Sequence, residues 1–286
     1  MTLLTVDQFK THFQIKNDTL ILSPQIAMIA NLFGHSKFTY ISPNDQSKPD
    51  SQYEIVLIDV LENDKFQNSG SSHAFRWFKH SLQYLKSNGV LIGKFPSYLT
   101  SKLIDLDKKQ YQVETINLYE DCCFLKIIKT PKTKTTQVVY SNSEQMNMDV
   151  NKDIILHHYN QEYYDYLHSV DLSTSCPRTT IDGKGDKVAE QLAIRSKRSD
   201  FEKVLFVPSN GNKAKAFTFE EVKDKNSGGD AFFAESIQQR DQFIQILQKP
   251  KVINLIKEMC YNNYTSMKLD HKKYIFNERI FNFANS

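Results

Sequence analysis

Apolar and polar positions alternate along the chain in short blocks, and the period inside each block names the element expected there. Residues 5–15 carry apolar positions at helical spacing and predict a short amphipathic helix. Asn17-Asp18 then make a turn before the apolar run Thr19 to Leu22. Ser23-Pro24 marks a helix start, since Ser caps and Pro is tolerated in the first turn. That helix puts Ile26, Ile29, Ala30 and Phe33 on one side, and Gly34 is a natural stop. Lys37 to Ser42 predicts a strand, and a polar loop leads from it to Tyr53–Val60 (YEIVLIDV), nearly all apolar. Unbroken apolar runs of this kind suit a central strand covered on both faces. After a polar loop over Glu62 to Ser72, the pattern predicts a helix over Ala74 to Lys86, with Ser87-Asn88-Gly89 as its stop. Val90 to Phe95 is a second buried strand, and Pro96-Ser97 opens a helix around Tyr98 to Leu106. Tyr111 to Asn117 and Cys122 to Lys129 read as two strands paired as a hairpin. This order describes an open α/β sheet.

The pattern changes after that hairpin. Thr130 to Asp149 is rich in Lys, Thr, Ser and Asn without a clear period, and reads as a linker or exposed excursion. The boundary is placed near residue 135, giving an α/β domain over 1–135 and an α+β domain over 136–286. Tyr159 to Leu167 is aromatic-rich, and Ser173 to Lys187 is loop-like. Phe201 to Val207 and Ala216 to Val222 read as strands flanking Pro208-Ser209-Asn210-Gly211, where Asn-Gly is a hairpin signal. Asp230 to Ala234 is a short strand, Ser236 to Gln248 a helix, and Pro250 opens a further helix through Met259.

Composition narrows the class. The 286 residues suggest roughly two domains at ~150 residues each. Hydrophobic content of 40% and 12% aromatics allow a sizeable core, which excludes global disorder, collagen and coiled coil. Net charge is only +3, so nucleic-acid affinity must come from local patches. Four Cys form no framework: Cys122 and Cys123 are adjacent, and Cys176 and Cys260 stand apart without a CxxC pair. The N-terminal stretch lacks a basic segment followed by an apolar one, and Ile26 to Phe33 is too short to span a bilayer. A cytoplasmic protein is expected.

Ligands of open α/β sheets sit beyond the C-terminal ends of the strands. Asp59 to Asp64 (DVLEND) and Gly93 to Ser97 (GKFPS) are therefore the positions of interest. The first offers Asp59, Glu62, Asn63 and Asp64 on one loop, suited to polar ligand contacts or, less well, a hard cation; the alternative is a solvated loop after a buried strand. The run from YEIVLIDVLEND through an amphipathic helix to SLQYLKSNGVLIGKFPSYLTSKL and YQVETINLYEDCCFLKIIK resembles the second half of an S-adenosylmethionine-dependent methyltransferase domain. It is most similar to DNA adenine-N6 methyltransferases of restriction-modification systems. In that family a strand ends in (Asn/Asp/Ser)-Pro-Pro-(Tyr/Phe), a helix and a Leu-Lys-x-x-Gly-x-Leu strand follow, and a hairpin closes the sheet. Leu85, Lys86, Gly89, Leu91, Phe95, Pro96 and Ser97 match the second stretch. Ser236, Arg240 and Phe243 match a helix pattern in the family's distal target-recognition region.

The resemblance implies an open, mostly parallel methyltransferase-like sheet, a recognition-like α+β domain, DNA as partner and S-adenosylmethionine as cofactor. It places Asp59, with Glu62, Asn63 and Asp64, at the catalytic position. The chain departs from the family there. It reads Ile58-Asp59-Val60-Leu61-Glu62, without Pro-Pro and without the aromatic that stacks on a flipped base. The turn after Leu22 is Ser23-Pro24-Gln25, without the glycines that let backbone approach the cofactor. A degenerate relative is therefore expected, one that binds DNA or supports a protein partner in a bacterial or phage setting of restriction, antirestriction or modification. An active divergent methyltransferase using Asp59 is the alternative.

Two basic clusters would carry DNA contact through phosphates: Lys126, Lys129, Lys132 and Lys134, and then Lys184, Lys187, Arg195, Lys197 and Arg198. Tyr159, Tyr163, Tyr164 and Tyr166 offer stacking faces or, at helical spacing, core positions. A metal-dependent nuclease could use Glu221, Lys223 and Asp200, and a metal could sit at His157, His158 and Asp153, although adjacent histidines in a strand point to opposite faces. Cys122 and Cys176 lack an evident His partner for nucleophilic work. A non-catalytic interaction role also fits.

Overall fold

A computed structural model of the chain describes residues 6–13, 15, 18–35, 38–41, 51–60, 71–176, 178–181, 203–208, 229–260 and 269–286. It divides into two compact units, Met1–Tyr159 and Asn160–Ser286.

The first unit is built on an eight-stranded sheet. In chain order come α1 (Val6–His12), β1 (Thr19–Ile21), α2 (Pro24–Leu32), β2 (Thr39–Tyr40), β3 (Tyr53–Asp59), α3 (Ser71–Leu82), β4 (Leu85–Pro96) and a 3-10 segment (Ser97–Asp105). β5 (Gln112–Leu118), β6 (Cys122–Ile128), β7 (Thr136–Val139) and β8 (Gln145–Met148) follow. The strand order is β2-β1-β3-β4-β6-β5-β7-β8. β2, β1, β3 and β4 run parallel to one another, and β5 runs parallel to β7, whereas β4–β6 and β7–β8 are antiparallel. The β5–β6 hairpin is antiparallel, with β6 set between β4 and β5. The expected α/β sheet is present, and its parallel half holds the two apolar runs side by side in one direction.

Period-two alternation splits these strands between two covered faces. Ile21, Ile55, Leu57, Ile92 and Phe124 point toward α1 and α2, packing with Phe9, Phe13, Ile26, Ile29 and Ala30. On the other face Phe78 of α3 meets Phe95 edge-on, 5.4 Å between ring centroids. Ser23 caps α2 by accepting from the Ile26 N–H, and Gly34 ends that helix at φ +77°.

Several boundaries differ from the pattern-based expectation. α3 stops at Leu82, and Ser87-Asn88-Gly89 is an irregularity inside β4, with Asn88 at φ 61° donating to Lys129 O. The helix after Pro96 is a 3-10 segment. The stretch read as a linker instead supplies β7 and β8 to the sheet, so the first unit runs to Tyr159 rather than ending near 135. Its edge strands bury Thr136, Val138 and Met148 between outward polar residues, which hides them in a polar composition.

In the second unit α4 (Gln161–Ser169) and a 3-10 turn (Leu172–Thr174) precede a three-stranded antiparallel sheet ordered β10-β11-β9. Its strands are β9 (Arg178–Ile181), β10 (Val204–Pro208) and β11 (Gly229–Phe233). β9 falls where the sequence read as a loop; the strand expected over Ala216 to Val222 lies outside the described residues. α5 (Ile237–Ile246), α6 (Pro250–Cys260), α7 (Leu269–Ile275) and α8 (Arg279–Asn285) complete the unit. Phe232 stacks on Phe276 at 3.7 Å, and the buried pair Lys272–Asp230 closes at 2.5 Å. Among the described residues no helix is long and apolar enough to cross a membrane.

Candidate functional site

In the parallel half of the first unit's sheet, strand order reverses at β1. From β1 the chain crosses to β2 on one side and resumes as β3 on the other. The crevice beyond the C-terminal ends of β1 and β3 is thus the position in which such sheets hold ligands.

A row of side chains crosses that edge. Ile21 pairs with Leu57, and Asp59 pairs with Lys94. Continuing the β1 register by two residues, supported by the Leu22 N–H on Leu57 O at 2.8 Å, brings Ser23 level with Asp59. All three lie on the face of Ile21, Leu57 and Ile92. Ser23 and Lys94 are fully buried and Asp59 is 4% exposed. The Lys94 ammonium is 3.7 Å from the Asp59 carboxylate, an ion pair longer than a hydrogen bond. The Val60 N–H on Lys94 O, 3.0 Å, fixes the two strand ends together.

The surroundings are apolar and thiol-bearing. Cys122 pairs with Pro96 across the sheet. Burial pushes its thiol up to about 11, against a lowering by Lys94 and with Asp59 adding to the rise. Burial also holds Cys123 well above the usual thiol value and lifts Cys176 to about 11. These thiols stay protonated at neutral pH and are not poised as nucleophiles. α1 roofs the same face: the His12 ring lies 4.1 Å from Phe124, and its Nε2 is 3.1 Å from the Tyr119 hydroxyl. Burial lowers the His12 pKa.

Of the four residues expected at the catalytic position, Asp59 stands in this row, and Glu62, Asn63 and Asp64 lie outside the described residues. Of the first basic cluster, Lys126 lies mid-strand, level with Ile92, and Lys129 follows β6 at the opposite edge of the sheet, because β6 runs against β4: Cys122 is level with Pro96, and Ile128 with Val90. Lys126 pairs with Glu114 at 2.6 Å, and Lys129 donates to Leu85 O at 2.7 Å. Lys132 is bound to Asp149 and, at 3.0 Å, to Asn151. Lys134 is exposed, its N–H held by Gln112 Oε1 at 3.0 Å. Lys184, Lys187, Arg195, Lys197 and Arg198 lie outside the described residues, as do Asp200, Glu221 and Lys223. Tyr163, Tyr164 and Tyr166 are buried, which makes them core rather than stacking platforms. The His157 and His158 rings stack at 4.3 Å instead of diverging, since that segment is not a strand. Among the described residues no group of three or more His, Cys, Asp or Glu could hold a metal.

No protein-family model and no curated protein matches the chain. Solved structures similar to it include a candidate class I S-adenosylmethionine-dependent methyltransferase of Listeria monocytogenes, at 14% identity and TM-score 0.31, over 43% of this chain and 48% of that one. The M protein of the EcoKI type I restriction enzyme is similar at 11% identity and TM-score 0.32, over 99% of this chain and 61% of that one. A modification subunit of a candidate type I restriction enzyme of Vibrio vulnificus gives 10% identity and TM-score 0.29, over 41% and 32%. This chain therefore covers less than two thirds of the length of each.

Among the described residues, the turn after β1 does not fit S-adenosylmethionine. A cofactor seated on the turn after β1 needs close backbone approach and open N–H groups. Here the turn carries Ser23, fully buried, whose Oγ accepts from Ile26 N at 3.1 Å, and Pro24, which has no N–H. The sequence pattern gave Asp59 and the cap at Ser23. Lys94 fell within the Gly93–Ser97 stretch of interest but was not itself named as a site residue, although a charge inside the apolar run VLIGKF was its visible signal.

Proposed function

We propose that this chain is a DNA-binding, methyltransferase-like protein that serves DNA modification, restriction or antirestriction, with a protein partner, without transferring a methyl group itself. The observation that carries this reading is the state of Asp59. It ends β3, the position that the resemblance gives to the group accepting the target amine, yet its carboxylate is buried beside Lys94. A carboxylate held in that pair is not presented to a flipped base. Val60, next in line, is buried in the core and offers no stacking face. DNA contact falls to surface cations, of which Lys134 is exposed and Lys126 half-exposed.

The test is a gel-shift series of the full chain with duplex DNA across salt, paired with a methyl-transfer assay using labelled S-adenosylmethionine. The expected outcome is a shift that weakens steeply with salt and no label in the DNA. A flat salt response rules out phosphate-dominated contact, and label in the DNA returns the active, divergent enzyme using Asp59.

A further inference from the structure

We infer that Lys94 is a built-in occupant of the crevice at the C-terminal ends of β1, β3 and β4: its ammonium takes the place of a polar ligand and, among the described residues, leaves S-adenosylmethionine no seat. The choice of that cofactor as the excluded ligand rests on the methyltransferase-like reading above; the occupancy itself rests on the geometry.

Three polar side chains meet at this edge, and each is engaged within the chain. The Ser23 hydroxyl caps α2. The Asp59 carboxylate, 1% exposed, faces the Lys94 ammonium, 0% exposed. Lys94 ranks among the largest fully buried side chains of the protein. Lysine is almost never found so deep without a counter-charge, and a buried carboxylate without one is costly. Each supplies a buried counter-charge to the other. Above them Phe9 and Phe13 join the apolar cluster of Ile21, Leu57, Ile92, Cys122 and Phe124. A ligand entering here must displace the Lys94 side chain from its carboxylate. The exclusion is one of volume, since the Lys94–Asp59 pair is charge-compensated. An edge that in this sheet type is normally a binding crevice is thus converted into core.

Thermal denaturation of the full chain tests this with four proteins: wild type, Lys94→Ala, Lys94→Met and the double variant Asp59→Leu/Lys94→Met. n-Propylammonium chloride is the probe, since it restores the atoms that Lys94→Ala removes; sodium chloride at equal ionic strength is the control. Wild type should melt at the same temperature with and without millimolar S-adenosylmethionine. Lys94→Ala should melt lower by about 5 °C or more, and propylammonium, unlike sodium, should recover a substantial part of the loss. The double variant, free of the stranded carboxylate, should melt well above Lys94→Met. The inference is overturned if S-adenosylmethionine raises the wild-type melting temperature with concentration. It is equally overturned if Lys94→Ala matches wild type, or if propylammonium does no more than sodium. Should Lys94→Ala fail to fold, the double variant decides: melting no higher than Lys94→Met overturns the proposal. Cofactor binding without label in DNA would sink this inference alone, whereas labelled DNA would sink the non-catalytic reading too.

Discussion

Gly93 lies on the face of the site strand that Phe95 shares, opposite to Lys94, and its missing side chain is structural. A Cβ there would stand 2.3 Å from Phe95 Cε2 and 2.7 Å from Ile58 Cγ2. The Phe95 ring is fully buried against Phe78, so it cannot yield cheaply. Gly93→Ala is expected to cost about 1–3 kcal/mol, read as a lower denaturant midpoint at unchanged slope. A variant as stable as wild type would mean that Phe95 has another rotamer available. The residue next to it shows what the sequence could and could not carry. A lysine in an apolar strand and an aspartate at the end of another were both legible as anomalies. Their partnership was not, because it depends on the β3–β4 register, and register is set by the packing of whole faces rather than by the residues of either strand.

Elements were legible where a local chemical signal sets their ends. Ser23-Pro24 opens α2, Ser236 caps α5 through the Gln239 N–H, and Gly34 closes α2 as the sequence suggests. Ser23→Ala should therefore lower stability by about 1 kcal/mol, measured by denaturant titration, with Ser23→Gly losing less. Ends set by tertiary pairing were not legible. Ser87-Asn88-Gly89 has the composition of a helix stop, yet hydrogen bonds between Asn88, Gly89 and Lys129 hold it in the sheet. β7 and β8 were hidden for the same reason: β5 recruits them, and their outward positions are polar. The excursion that carries them is tied back by Lys132, whose ammonium binds Asp149 and Asn151, while Asn151 donates to Leu106 O at 3.1 Å. Burial alone would raise the Asp149 pKa, but the Lys132 and Asn151 contacts and the Lys152 charge leave it below the usual carboxylate value. A depressed folded pKa means that this stability is present above the ordinary carboxylate range and is lost as pH falls through the folded value. Melting temperatures between roughly pH 6 and pH 2 should fall less steeply for Asp149→Asn than for wild type, from a lower starting point. Parallel curves would remove Asp149 as a contributor.

At the scale of the first unit the two ends of the sheet have different characters. The C-terminal edge of the parallel strands carries the buried Ser23, Asp59 and Lys94, while Lys129, Lys132 and Lys134 lie at the other edge, near where β4 begins. If DNA lies against that edge, the lysines there cannot contribute alike. Lys132 is bound to Asp149 and Asn151, and Lys129 to Leu85 O, so both are occupied in holding the fold, whereas Lys134 projects from a backbone pinned by Gln112. Lys134→Glu is therefore expected to weaken duplex binding and to reduce the salt slope by about one unit, with the melting temperature unchanged. Lys132→Glu should lower the melting temperature first, since it sets a carboxylate against Asp149. Gel-shift titrations at several salt concentrations, run beside thermal melts of the same samples, separate the two. Equal salt slopes for wild type and Lys134→Glu would move any DNA contact away from this edge of the sheet, leaving the second basic cluster to carry it.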